Sequence, residues 1–127
     1  MIGYVTLGTD DLDRAKRFYD ALMELFGARR LMELPGGFTL YGARPDRPGL
    51  ALTPPYDGEP AHPGTMTALA VRERAQVDAV HARALELGAA DEGAPGLRGP
   101  EGPQAFYGAY FRDPDGNKLC VFRVGPA

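Results

Sequence analysis

The stretch Tyr4-Val5-Thr6-Leu7-Gly8-Thr9-Asp10-Asp11-Leu12, read on through Phe18-Tyr19 to Gly27, decides the fold. Its first residues favour β-structure, and Tyr4, Thr6 and Gly8 share one side of a strand because successive side chains point to opposite faces. Thr9-Asp10-Asp11 then offers side chains that accept hydrogen bonds from the free N–H groups of a helix start. Leu12, Ala15, Phe18, Tyr19, Leu22, Leu25 and Phe26 follow at three-to-four spacing, while Asp13, Arg14, Lys16, Arg17 and Asp20 take the other face. Gly27 is a natural stop. Outward from this pair lie three short β-like segments, near 28–34, 37–42 and 49–53. They are divided by Pro35-Gly36-Gly37 and by Arg44-Pro45-Asp46-Arg47-Pro48. Residues 1–55 or so therefore read as a βαβββ module.

The same order returns about sixty residues later. Met66 to Val71 reads as a strand, with Met66, Ala68 and Ala70 on one side. Residues 73–87 read as a helix with Val77, Val80, Ala84 and Leu87 inward, and Gly88 closes it. Two strands near 105–112 and 118–124 flank the turn Asp113-Pro114-Asp115-Gly116. Gly93 to Gln104 is too rich in Gly and Pro to predict regular structure, and it reads as a lid or a dimer contact. Tyr56 to Gly64 reads as a linker, giving one domain over 1–127 with a second module over about 65–125. The expected class is α+β: two βαβββ modules in tandem forming a cupped mixed sheet. Each helix covers only one face of its sheet, so the other faces must pair or enclose something, and a concave face is where small ligands bind.

Composition narrows the function classes. The chain has 127 residues, enough to bury roughly two-thirds of its unfolded surface around one core. A net charge of −3 with dispersed Lys and Arg argues against nucleic acid, whose phosphates require a clustered positive excess. No apolar run reaches the roughly 20 residues that cross a bilayer, and the N-terminus has no signal-like pattern, so a cytoplasmic protein is expected. The lone Cys120 rules out an intramolecular disulfide and a Cys-based zinc site.

Two segments resemble a known superfamily. Tyr4 to Leu12 with Phe18-Tyr19 is similar to the first strand and helix of the glyoxalase/bleomycin resistance/dioxygenase superfamily, the vicinal oxygen chelate proteins. Phe111-Arg112-Asp113-Pro114-Asp115-Gly116-Asn117 resembles its last hairpin more closely still. The resemblance implies the two-module fold and a divalent metal held by His, Gln or Glu at equivalent strand positions. Carried over position by position, those ligands fall on Tyr4, on Met66, near Leu50 and on Cys120. Tyr4, Met66 and Leu50 are not usable ligands, and one thiolate leaves a four-coordinate site three ligands short. No cofactor is therefore expected. The direct basis for glyoxalase, extradiol dioxygenase or fosfomycin-opening chemistry is also missing, since each needs a Lewis acid.

With the family's register, Tyr110 lies opposite Cys120, and the cup is lined by Tyr4, Leu50, Met66, Phe106, Tyr110, Cys120 and Phe122. Each has a plain alternative. The tyrosines are either ligand donors or half-buried strand aromatics, Met66 is a pocket wall or packing, and Cys120 is a reactive or an inert thiol. His81 on the second helix and His62 in the linker lack partners at metal spacing. Arg112 either pairs with the acids of the Asp113-Pro114-Asp115-Gly116 turn or reaches an anion. Two functions stay open. One is a homodimeric protein that binds a small, partly aromatic molecule without a metal. The other is an enzyme, a lyase, isomerase or dioxygenase with atypical or absent metal ligands.

Overall fold

The computed structural model describes residues 2–55, 57–61 and 66–127. The chain divides into two compact units, residues 1–64 with Pro114–Asn117, and residues 65–113 with 118–127.

In the first unit the order is β1 (Tyr4–Gly8), α1 (Leu12–Glu24), β2 (Arg29–Glu33), β3 (Thr39–Gly42) and β4 (Gly49–Thr53). These strands form a mixed sheet in the order β1-β4-β3-β2, with β1 and β4 parallel and the other pairs antiparallel. The cap region behaves as its residue types dictate. Thr9 Oγ1 accepts from the Asp11 amide at 3.0 Å, and Asp11 Oδ1 accepts from the Arg14 amide at 3.1 Å. Ala15, Phe18, Tyr19, Leu22 and Met23 form the buried stripe of α1. Leu25, expected inward, is instead 42% exposed because the helix ends there and Gly27 turns the chain at φ 65°.

In the second unit the order repeats: β5 (Met66–Ala70), α2 (Arg74–Glu86), β6 (Ala90–Leu97), β7 (Phe106–Arg112) and β8 (Lys118–Val124). The sheet order is β5-β8-β7-β6, with β5 and β8 parallel. Gln76 Oε1 closes the start of α2 by accepting from the amides of Arg72 at 2.9 Å and Glu73 at 3.0 Å. Val77, Val80, His81 and Ala84 are buried. The tandem βαβββ arrangement expected from the repeat is the one observed.

One expectation is corrected. Residues 93–97 do not belong to an irregular stretch, because β6 runs through them and pairs with β7 at the edge of the sheet. Register shifts between Asp91 and Gly93 and between Gly93 and Gly96 break the ladder. Pro95, which cannot donate, falls within the second irregular interval. Pairing with β7 makes this strand, against its composition. The irregular loop is shorter, from Arg98 to Ala105.

The turn Asp113-Pro114-Asp115-Gly116 has Gly116 at φ 87° and connects β7 to β8. Its tip, Pro114–Asn117, is part of the first unit. Asn117 Nδ2 donates to the Gly8 carbonyl at 2.9 Å, and Asp115 Oδ1 accepts from Arg14 Nη2 at 2.8 Å and from the Asp10 amide at 3.2 Å. Asp10 and Asp115 thus serve structural roles. No helix among the described residues is long and apolar enough to cross a membrane.

Candidate functional site

Strand register decides which side chains share a face. In the first unit Tyr41, Leu50 and Val5 lie abreast, and the Tyr41 hydroxyl donates to Asp20 Oδ1 of α1 at 2.7 Å. That row therefore packs under α1. Leu50, expected in the cup, is a core residue with 4% exposure. Its neighbours Gly49 and Ala51 occupy the face with Tyr4 and Thr6. The reason is parity: in Gly49-Leu50-Ala51-Leu52 an offset of one residue exchanges the two faces. Tyr4 does stand on the helix-free face, 53% exposed. Its ring meets Phe38 edge-on at 5.7 Å, a partner that sequence reasoning missed although Phe38 directly follows the Gly36-Gly37 turn.

In the second unit the helix side is equally clear. Tyr107 donates to Asp78 of α2 at 2.8 Å, and Leu119 and Val121 are fully buried beside it in the sheet. The opposite face carries Met66, Ala68 and Ala70 of β5, Lys118, Cys120 and Phe122 of β8, and Phe106, Gly108, Tyr110 and Arg112 of β7. Tyr110 lies opposite Cys120 in the expected register. The structure thus brings Met66, Phe106, Tyr110, Cys120 and Phe122 onto one face of one sheet.

That face has a definite local chemistry. Phe106 and Phe122 stack with centroids 5.2 Å apart and planes 9° from parallel. Gly108, opposite Phe122 in the register, leaves room for the Phe106 ring, since a Cβ there would come within 2.7 Å of it. Beside the stack, Tyr110 covers Cys120, which is 1% exposed. Burial raises the Tyr110 phenol, and the interaction with Cys120 raises it further. Burial likewise pushes the Cys120 thiol up, and this outweighs the lowering effects of the Tyr110 hydrogen bond and of Arg98 and Lys118. Both groups are therefore protonated at neutral pH, and Cys120 is placed as an inert thiol.

Arg98 carries no sequence signal of a site, because it directly follows β6, a strand whose glycines and proline oppose strand formation. Its guanidinium sits 5.5 Å from the Tyr110 ring centroid, and Lys118 Nζ sits at the same distance. A concavity of about 270 Å³ is lined by residues 98–106, Arg98 and Phe106 among them.

The remaining polar residues have structural partners. His81 is buried, with Nε2 3.0 Å from Asp91 Oδ1, so it joins α2 to β6. Arg112 Nε donates to Glu92 of β6 at 2.7 Å, an acid outside the Asp113–Asp115 turn. His62 lies outside the described residues. The donor set at the positions implied by the resemblance does not fit a divalent metal. Tyr4 is a phenol, Met66 a thioether and Cys120 a buried thiol raised by burial, while the helix-free positions flanking Leu50 are Gly49 and Ala51. Among the described residues no three His, Cys, Asp or Glu side chains come together as a metal site.

Comparison with known proteins places this arrangement. The chain is 33% identical to a glyoxalase/bleomycin resistance protein from Albidiferax ferrireducens T118. The TM-score is 0.82, over 97% of this chain and 98% of that one. It is 27% identical to a lactoylglutathione lyase from Agrobacterium tumefaciens, with a TM-score of 0.66 over 97% and 92% of the two chains. A glyoxalase/bleomycin resistance protein/dioxygenase family enzyme from Burkholderia phytofirmans PsJN, 20% identical with a TM-score of 0.73 over 96% and 97%, shares the fold. Among curated proteins none matches. A family model matches residues 1–121, and the chain accordingly belongs to the Glyoxalase/Bleomycin resistance protein/Dioxygenase superfamily.

Proposed function

We propose that this protein binds a small, partly aromatic molecule on the helix-free face of its second sheet, without a metal and without turning it over. The observation that carries the reading is the parallel Phe106–Phe122 stack, 5.2 Å between centroids, continued by Tyr110 and by the 49% exposed Met66. Flat rings with an adaptable thioether at the border favour a planar ligand, and a phenol adds one directed hydrogen bond. We further infer that the protein is a cytoplasmic homodimer, with exposed Ile2, Leu25 and Leu34 supplying apolar surface for a second copy.

A second reading, a lyase, draws on the neighbour named lactoylglutathione lyase. It would need either a bound metal or a side chain ready to take a proton. The first has an unsuitable donor set, and Tyr110 and Cys120 are both held in their protonated forms.

The readings separate in one experiment on tag-free protein dialysed against a chelator. Metal content is measured by elemental mass spectrometry. Melting is then followed with 2-naphthamide or with zinc, nickel, manganese or ferrous ions. Binding at a hundredfold excess over Kd stabilises by about 2.7 kcal/mol, so naphthamide should raise the melting point by several degrees in metal-free protein. Near-stoichiometric metal that survives dialysis, with a shift from metal and none from the aromatic probe, would overturn the proposal.

A further inference from the structure

We infer that the ligand of this face is an anion, a planar ring bearing a carboxylate or similar negative group, received between Arg98 and Lys118 with its ring toward Phe106 and Phe122. This deepens the aromatic-ligand reading and rests on it.

Two cations converge on one ring. Arg98 and Lys118 each stand 5.5 Å from the Tyr110 centroid. Neither has a carboxylate within ion-pair distance among the described residues, whereas the neighbouring acids are already engaged. Glu92 accepts from Arg112 at 2.7 Å, and Glu101 accepts from Arg74 at 2.6 Å. The field over Tyr110 and Cys120 is therefore positive, in keeping with the lowering effect of both cations on Cys120. Arg98 reaches Tyr110 from the β6 side and Lys118 from the β8 side, and a ligand anion on this face would gain charge-assisted hydrogen bonds from them.

The backbone is shaped to keep Arg98 there. Arg98 Nη2 donates to the Ala94 carbonyl at 2.6 Å, which bends the guanidinium back over β6. That position is open because β6 carries glycine beneath it. A Cβ at Gly96 would meet Arg98 Nη1 at 3.2 Å, and one at Gly93 would meet Arg98 Nη2 at 3.3 Å and the Tyr110 ring at 3.0 Å. Glycines that weaken a strand thus make room for a cation on its surface.

The test uses the full chain and two probes of nearly equal shape, 2-naphthoate and 2-naphthamide, titrated calorimetrically at low salt. Naphthoate should bind about tenfold more tightly, and the preference should shrink as salt is raised. Arg98→Gln and Lys118→Gln should each remove most of the preference, lowering naphthoate affinity severalfold more than naphthamide affinity; thermal melts confirm that both variants fold. Equal affinity for the two probes would overturn the anion inference and leave the aromatic reading standing. Binding of neither probe would overturn both. A preference that survives in both variants would show that other residues receive the charge, and would overturn the assignment to Arg98 and Lys118.

Discussion

Leu50→Ala discriminates between a pocket wall and a core residue. Leu50 is 4% exposed and lies abreast of Val5 and Tyr41 on the side of α1. Truncation removes about three methylene equivalents, worth about 0.8 kcal/mol each in transfer. The void left under the helix adds to this, so the expected loss is about 3 kcal/mol, within the measured range for buried Leu→Ala. For a chain of this length that corresponds to a fall of about 10 °C in melting temperature. Met66→Ala is the matched control. Met66 is 49% exposed, so its loss should cost under about 1 kcal/mol. Urea unfolding followed by circular dichroism measures both, and titration of 2-naphthamide at a temperature where both variants are folded measures the other half. Leu50→Ala should keep its affinity, while Met66→Ala should weaken it. A loss below about 1 kcal/mol for Leu50→Ala, with impaired binding, would refute the register argument and return Leu50 to a ligand-facing position.

Asp20 accepts from Arg30 and Tyr41. Burial raises its carboxyl, but those bonds outweigh the burial and hold it below its ordinary value of 3.8. A depressed folded value gives stability that is present above the unfolded value and lost as pH falls through the folded one. Acid titration should therefore weaken the wild type progressively below pH 3.8, and Asp20→Asn should flatten that slope; an unchanged slope would contradict the pairing. Cys120, buried beneath Tyr110 with its thiol raised, should resist a thiol-directed disulfide reagent in native protein and react fully in urea, so rapid native labelling would place it at an accessible site. Tyr110→Phe keeps the ring that Arg98 and Lys118 approach and removes only the hydroxyl. It should weaken 2-naphthoate binding by about threefold, whereas a hundredfold loss would make the phenol the main anchor.

Much of the fold was written in local order. The strand-helix passage from Tyr4 to Gly27, its return from Met66 to Gly88 and the Asp113-Pro114-Asp115-Gly116 turn follow from periodicity, capping and turn chemistry, which act over a few neighbouring residues. The register of β7 on β8 came from the resemblance to the superfamily's last hairpin, and Tyr110 does oppose Cys120. What only the tertiary structure decided depends on partners far away in sequence. The facing of Leu50 could not be read, since polar and apolar residues do not alternate in Gly49-Leu50-Ala51-Leu52 and only pairing with β1 and β3 selects the face. Strand β6 was hidden because its glycines and proline oppose strand formation, and β7 supplies the hydrogen bonds that override them. The meeting of Arg98 and Lys118 on Tyr110 was hidden for the same reason. A cation's position over a ring is set by the ladder that carries both, and that ladder forms between strands whose composition does not announce their pairing.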